Sequence, residues 1–185
     1  MHTSQGERYV PTGKGAAALA KGARRPKGPF ESALDLLAIC RVVFLHKSSD
    51  TLDLLTEAKL EKRFRASTRD LARLYAGYYV AELLNELTDI ADPHPQLFEE
   101  AIVTLANLNS DADVLSTIVR FELTMLRLLG HMPTWDRCAG CGQVVTTESR
   151  VSFGQLAGGV LCTSCRAGHR EVVQVPSEVI DVLKF

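Results

Sequence analysis

Four of the five cysteines form two pairs, Cys138-Ala139-Gly140-Cys141 and Cys162-Thr163-Ser164-Cys165, with twenty residues between them. Two residues between thiols let one tight turn aim both sulfurs at a single ion. Two such turns complete a tetrahedral set of four thiolates, the pattern of a zinc ribbon or zinc knuckle. Gly142, directly after the first pair, permits the backbone turn that such a knuckle needs. The expected cofactor is one structural Zn2+ held by Cys138, Cys141, Cys162 and Cys165. Four protein ligands leave no open position to activate water, so the metal stabilises rather than catalyses.

Other chemistries fit these residues less well. Disulfides are disfavoured in a reducing compartment. A redox-active Cys-x-x-Cys pair, as in a thiol oxidoreductase, sits at a helix start in a βαβ context, and no such context surrounds either pair. His169, four residues past Cys165, is a possible substitute ligand, but four thiolates leave it no vacancy. Cys40, inside an apolar run, reads as a small buried hydrophobe. Trp135, the one tryptophan, reads as a packing anchor beside the first knuckle. Gly13-Lys14-Gly15 lacks both the upstream glycine and the hydroxyl residue of a phosphate-binding loop. Neither a His-Glu-x-x-His motif nor a Gly-x-Ser-x-Gly elbow is present. The expectation is a protein that is not an enzyme.

Cations supply the second candidate site. Lys21, Arg24, Arg25 and Lys27 fall within seven residues on a stretch punctuated by Gly22, Pro26 and Gly28. Several cations on a rigid loop suit phosphate contacts, which provide affinity without reading base sequence. Lys59, Lys62, Arg63, Arg65, Arg69 and Arg73 continue the positive character. The net charge of -1 conceals a bipolar chain: residues 1–73 carry fourteen Lys and Arg against eight Asp and Glu, whereas residues 74–119 carry eight acids and no base. A basic first part points to nucleic acid, and the acidic span 82–113 faces away from it, towards a basic partner surface.

The elements that must hold these groups follow from apolar periodicity. Residues 1–15 read as an irregular start. The run 36–45, rich in Ile, Val and Phe, reads as a strand, and 51–56 as a returning strand. Ser67 or Thr68 caps a first helix with Asp70 in its first turn; Leu71, Leu74, Tyr78, Ala81 and Leu84 share its inner face. A second helix covers 97–108. A third starts after Ser110, Asp111 and Asp113, buries Val114, Ile118, Phe121, Met125 and Leu128, and stops at Gly130 and Pro133. Between the cysteine pairs, Val151–Phe153 and Val160–Leu161 around Gly158-Gly159 read as a short hairpin. That segment is too poor in apolar residues to fold without a metal staple.

Length and composition set the frame. The 185 residues, 46% hydrophobic and 23% charged, exclude a wholly disordered or collagen-like chain. No stretch approaches the roughly 18 to 20 apolar residues of a membrane helix, and the first residues lack the apolar core of a secretory signal. A soluble cytoplasmic protein with no membrane partner is expected. The fold class is α+β and multidomain: a small N-terminal β unit, a helical bundle and a zinc-ribbon or zinc-knuckle segment.

Several stretches together resemble the RecO family of bacterial DNA repair and recombination mediators. They are Ala20-Lys21-Gly22-Ala23-Arg24-Arg25-Pro26-Lys27, Leu55-Thr56-Glu57-Ala58, Arg120-Phe121-Glu122-Leu123, Leu128-Leu129-Gly130-His131-Met132-Pro133 and the two cysteine pairs. They occur in the family's order from about Ala16 to Cys165.

The resemblance implies an OB-fold-like DNA-binding unit over 1–60, a helical domain over 61–134, a zinc-binding segment over 135–170 and the start of a C-terminal helical segment over 171–185. Against the family the chain reads as shortened at both ends, with an incomplete OB barrel. The resemblance further implies binding of single- and double-stranded DNA, strand annealing, and RecA loading with RecR and single-stranded DNA-binding protein, at the nucleoid. Lys21, Arg24, Arg25 and Lys27 would hold the phosphates. A zinc-stabilised interaction adaptor that does not touch DNA is the alternative.

Overall fold

The computed structural model describes residues 8–11, 17–20, 30, 33, 37–45, 54–66, 70–88, 94–146 and 149–184. These form three small antiparallel sheets and five helices. The chain divides into two units, Met1–Met125 and Leu126–Phe185.

In the first unit, β1 (Arg8–Pro11) pairs antiparallel with β2 (Ala17–Ala20), from Arg8 opposite Ala20 to Pro11 opposite Ala17. This corrects the expectation of an irregular start over 1–15. A short segment becomes a strand when a neighbour completes its ladder, because strand propensity is largely context. Pro11, which has no N–H to offer, sits at the strand's end.

β3 (Ile39–Leu45) pairs antiparallel with β4 (Leu54–Lys62). The returning strand runs to Lys62 rather than ending at residue 56, since it follows β3 along its whole length. Register shifts at Ile39/Cys40 and Val43/Phe44 bend the ladder. One face gathers Leu55, Cys40, Val42 and Ala58 with Phe30 into a small cluster. On the other face Arg41 stands opposite Lys59, and Arg41 pairs with Glu61 at 2.8 Å.

Three helices follow: α1 (Leu71–Leu87), α2 (Pro95–Leu108) and α3 (Val114–Leu128). Asp70 is the N-cap of α1; its carboxylate accepts from the backbone N–H of Ala72 at 2.9 Å and of Arg73 at 3.4 Å. The expected caps Ser67 and Thr68 lie outside the described residues. Asp113 starts α3, accepting from the Ser116 N–H at 2.8 Å. Phe64, Ala76 and Leu108 form one buried core cluster, joined by Leu74, Leu105, Val114 and Ile118, so all three helices and the segment after β4 contribute. Asn109 ties that segment down: its side-chain oxygen accepts from the N–H groups of Arg65 at 2.9 Å and Ala66 at 3.0 Å.

The face of α1 differs from expectation. Ala76, Gly77 and Val80 are buried, whereas Leu71 and Tyr78 are exposed. A Cβ on Gly77 would lie 2.7 Å from Leu37 Cδ1 and 3.2 Å from Phe64 Cζ. Glycine here lets two large side chains rest directly on the helix backbone.

In the second unit the end of α3 closes in a Schellman motif. Gly130 takes φ +76°, its N–H reaches the Arg127 carbonyl at 3.2 Å, and the His131 N–H reaches the Leu126 carbonyl at 2.8 Å. β5 (Arg150–Gly154) lies between β6 (Gly159–Leu161) and β7 (Val172–Pro176), all antiparallel. The short α4 (Thr163–Arg166) follows β6, and α5 (Ser177–Leu183) follows β7. The hairpin of β5 and β6 matches its expected position. Residues 172–176, expected at the start of a helical segment, are instead β7, and the helix begins at Ser177. Val151, Val160 and Ile180 make the core, with Trp135, Val145, Phe153 and Val175 packed on it. Trp135 stacks on Phe153 at a centroid distance of 5.5 Å, the anchoring role its position suggested.

Candidate metal centre

The first cysteine pair sits on a knuckle built by backbone hydrogen bonds. Arg137 and Val144 form an antiparallel bridge, the Cys138 N–H reaches the Gln143 carbonyl at 2.8 Å, and the Gly142 N–H reaches the Cys138 carbonyl at 2.8 Å. Gly142 takes φ +74°, which turns the chain so that Cys138 and Cys141 point the same way. The Ala139 N–H donates to the Val160 carbonyl at 2.8 Å and so docks the knuckle on β6.

β6 leads straight into the second pair. Cys162 is the N-cap of α4, and its sulfur accepts from the Cys165 N–H at 3.4 Å. The Cys162 N–H in turn donates to the Cys138 sulfur at 3.3 Å. Gly140 permits the close approach: a Cβ there would stand 3.2 Å from Cys165 Cβ, Cys165 Sγ and His169 Nε2.

The four sulfurs of Cys138, Cys141, Cys162 and Cys165 all lie within 4.8 Å of one another, and those of Cys141 and Cys162 are 3.9 Å apart. A tetrahedral ion with metal–sulfur bonds of about 2.3 Å sets the sulfurs about 3.8 Å apart. The donor set therefore fits a closed four-thiolate site, and sulfur donors in that geometry suit zinc or iron–sulfur chemistry rather than hard cations. Cys138 is 2% exposed, Cys162 and Cys165 are half-buried, and Cys141 is exposed.

The electrostatics favour thiolates at part of the site before any metal arrives. Burial acts to raise the Cys138 thiol, but the backbone N–H groups of Cys162, Gly140 and Cys141 aimed at its sulfur outweigh that and lower it to about 6. The Cys165 N–H lowers Cys162 in the same way. At Cys141 a backbone hydrogen bond with Gln143 lowers the thiol, yet its hydrogen bonds with the Cys138 and Cys162 sulfurs and its burial leave it raised. Hydrogen bonds to the Cys162, Cys141 and Cys138 sulfurs push Cys165 up to about 12. The cluster thus shares protons among four sulfurs, and a divalent cation would replace them.

All four cysteines expected to bind metal are brought together. His169 stands against Gly140, outside the set of four converging atoms. Cys40 belongs to the first unit, where its thiol donates to the Ala33 carbonyl at 2.8 Å. The basic run Lys21, Arg24, Arg25 and Lys27 lies outside the described residues, as does Arg69. Lys59, Lys62, Arg63 and Arg65 are exposed along and just beyond β4. Arg73 has a structural task instead, binding Asp70 at 3.2 Å and the Leu108 carbonyl at 3.3 Å. β7, which supplies Val175 to the core of this unit, was not anticipated, although the run Val172-Val173-Gln174-Val175 was an available strand signal; α5, which supplies Ile180, lies within the helical segment expected over 171–185.

Among the described residues, no helix is long and apolar enough to cross a membrane. A family model described as "Recombination protein O C terminal" matches residues 68–185. A protein of Rhodopirellula baltica named DNA repair protein RecO is 44% identical over 91% of this chain and 63% of its own length. Proteins of the same name from an Anaeromyxobacter species and from Myxococcus xanthus are 34% and 32% identical, over 82% and 90% of this chain and 59% and 67% of their own lengths. The chain thus spans about three fifths of the length of the first two relatives.

Proposed function

The chain belongs to the RecO family, and from that premise we propose that it acts in DNA repair as a mediator that binds DNA rather than as an enzyme. The observation that carries the reading is the cluster of four sulfurs within 4.8 Å, which lies inside the segment matched to the family. One Zn2+ held by Cys138, Cys141, Cys162 and Cys165 supplies structural cross-linking of a zinc-ribbon segment. This chain's own part is to aim the sulfurs through two knuckles and to shield Cys138 from water.

In this reading the N-terminal ladders belong to an OB-type barrel, and Lys21, Arg24, Arg25 and Lys27 hold phosphates of single- and double-stranded DNA. Contacts of that kind release counterions and do not depend on base sequence. A cationic surface screens the repulsion between two complementary strands, which is what annealing requires. RecR and single-stranded DNA-binding protein are the proposed partners in loading RecA, at the nucleoid.

The test is fluorescence anisotropy of a labelled single-stranded oligonucleotide with the zinc-loaded chain over a range of salt. Affinity that falls steeply with salt supports the reading. Absence of binding at low salt, with zinc bound and the chain folded, overturns it in favour of an adaptor that does not touch DNA.

A further inference from the structure

Helix α1 is apolar on two opposite faces. A surface helix normally sets polar side chains opposite its buried stripe. Here Ala76, Gly77 and Val80 are buried, yet Leu71 and Tyr75 on the opposite side are each 65% exposed, and Tyr78 and Tyr79 are each 39% exposed. Positions 71, 75, 78 and 79 follow the spacing of a single helical face.

The face continues onto α3. The Tyr79 hydroxyl donates to Glu122 at 2.5 Å. Val119 and Leu115 stand one and two turns before Glu122 on the same flank of α3, 39% and 73% exposed. Isolated apolar side chains on a surface need no explanation, but a contiguous group spanning two helices does. Tyrosines are also the side chains that interfaces favour, since they bury large area at small entropic cost.

Charge identifies the occupant. Glu82 and Glu86 extend the outer face of α1 by one and two turns, and Glu122 closes the α3 side. The hydroxyl of Tyr79 is held above its ordinary range, first by its hydrogen bond to Glu122, then by burial and by the charges of Glu122 and Glu82, which places both carboxylates at the patch. No Lys or Arg occurs from residue 74 to 119. Arg73 is turned away onto Asp70 and the Leu108 carbonyl; Arg120 is the neighbouring cation on α3. DNA is repelled by such a rim. A second copy meeting this face with its own would oppose like charges.

We propose that this face docks a basic amphipathic helix of a partner protein, its apolar stripe on Leu71, Tyr75, Tyr78 and Val119 and its Lys and Arg on Glu82, Glu86 and Glu122. The proposal is independent of DNA binding by the basic run and stands whether or not the oligonucleotide binds.

The test uses the full chain and a labelled synthetic amphipathic helix of leucine and lysine, with a leucine–glutamate helix as counterpart, read by fluorescence anisotropy. The lysine helix binds and the glutamate helix does not. The double variant Leu71→Ser/Tyr75→Ser weakens binding by about tenfold or more. Both side chains are exposed, and unchanged circular dichroism confirms the fold. Glu82→Gln/Glu86→Gln, which alters no apolar contact, flattens the salt dependence. Equal affinity of both variants and the parent chain overturns the proposal. So does a self-association, seen by sedimentation, that Tyr75→Ser abolishes, because that result assigns the face to a second copy.

Discussion

The backbone N–H of Cys162 donates to the sulfur of Cys138 across 3.3 Å, joining the two knuckles through a hydrogen bond to the most buried of the four thiols. The bond favours the thiolate form of Cys138 and aligns the second pair on the first. The four clustered cysteines are therefore unequal, although their spacing in the chain is symmetrical.

That inequality predicts unequal mutants. Cys138→Ser removes a buried sulfur that accepts from Cys162, so the variant loses stoichiometric zinc and the cooperative unfolding of residues 126–185. Structural zinc is worth about 10 kcal/mol or more in zinc-finger peptides, far beyond what this small core can replace. Cys141→Ser alters an exposed position and weakens zinc binding less. Metal analysis and circular dichroism of the two variants decide it; equal zinc retention contradicts the ranking.

Zinc uptake by metal-free protein at pH 7 should release fewer protons than ordinary thiols would. Cys138, lowered to about 6, has already ionised, while Cys165, at about 12, still holds its proton. Calorimetry in buffers of different ionisation enthalpy counts the protons, and a full proton from every ligand refutes the prediction. The sign for stability follows. A group whose folded pKa is depressed contributes stability above its unfolded pKa and loses it as pH falls through the folded value. The Cys138 contribution is therefore present above the ordinary thiol range near 8.5 and disappears on acidification through about 6.

Gly77→Val should destabilise the first unit by about 2 kcal/mol, because an added Cβ meets Leu37 Cδ1 at 2.7 Å and the branch adds volume beside Phe64. Better helix propensity offsets only a small part of this. A urea midpoint equal to or above that of the parent chain rules the packing argument out.

Gly159→Ala is expected to cost about 1–3 kcal/mol in the second unit. Its Cβ would lie 2.7 Å from the Thr134 carbonyl oxygen and 3.0 Å from the Thr134 nitrogen, and backbone cannot swing aside as a side-chain end can. Loss of Trp135 near-ultraviolet dichroism at lower temperature is the readout; an unchanged melting curve contradicts it.

Reversing charge at Arg24 and Arg25 should weaken single-stranded DNA binding and reduce the salt slope by about 1.4, two phosphate contacts at about 0.7 each. Unchanged affinity and slope remove that run from the proposed DNA site.

Some of this was determined along the chain itself. The cluster of four cysteines was legible because Cys-x-x-Cys geometry is local: two intervening residues suffice to aim two sulfurs, with Gly142 turning the first pair. The α3 face was legible too, since Val114, Ile118, Phe121 and Met125 recur at helical spacing between Asp113 and Gly130 and so define a phase, although the apolar Leu115 and Val119 lie outside it. In α1 they do not. With Leu71, Tyr75 and Tyr78 as apolar as Ala76 and Val80, periodicity cannot say which side is in, and Leu37 and Phe64 packing on Gly77 made that choice. Arg8–Pro11 and Val172–Pro176 became strands because β2 and β5 offered them ladders. Which sulfur is buried and favoured as a thiolate likewise depends on Cys162 reaching back to Cys138 across 24 positions. Local spacing names the clustered cysteines, whereas burial, register and charge state arise from contacts between residues far apart in sequence, and only the tertiary structure brings those together.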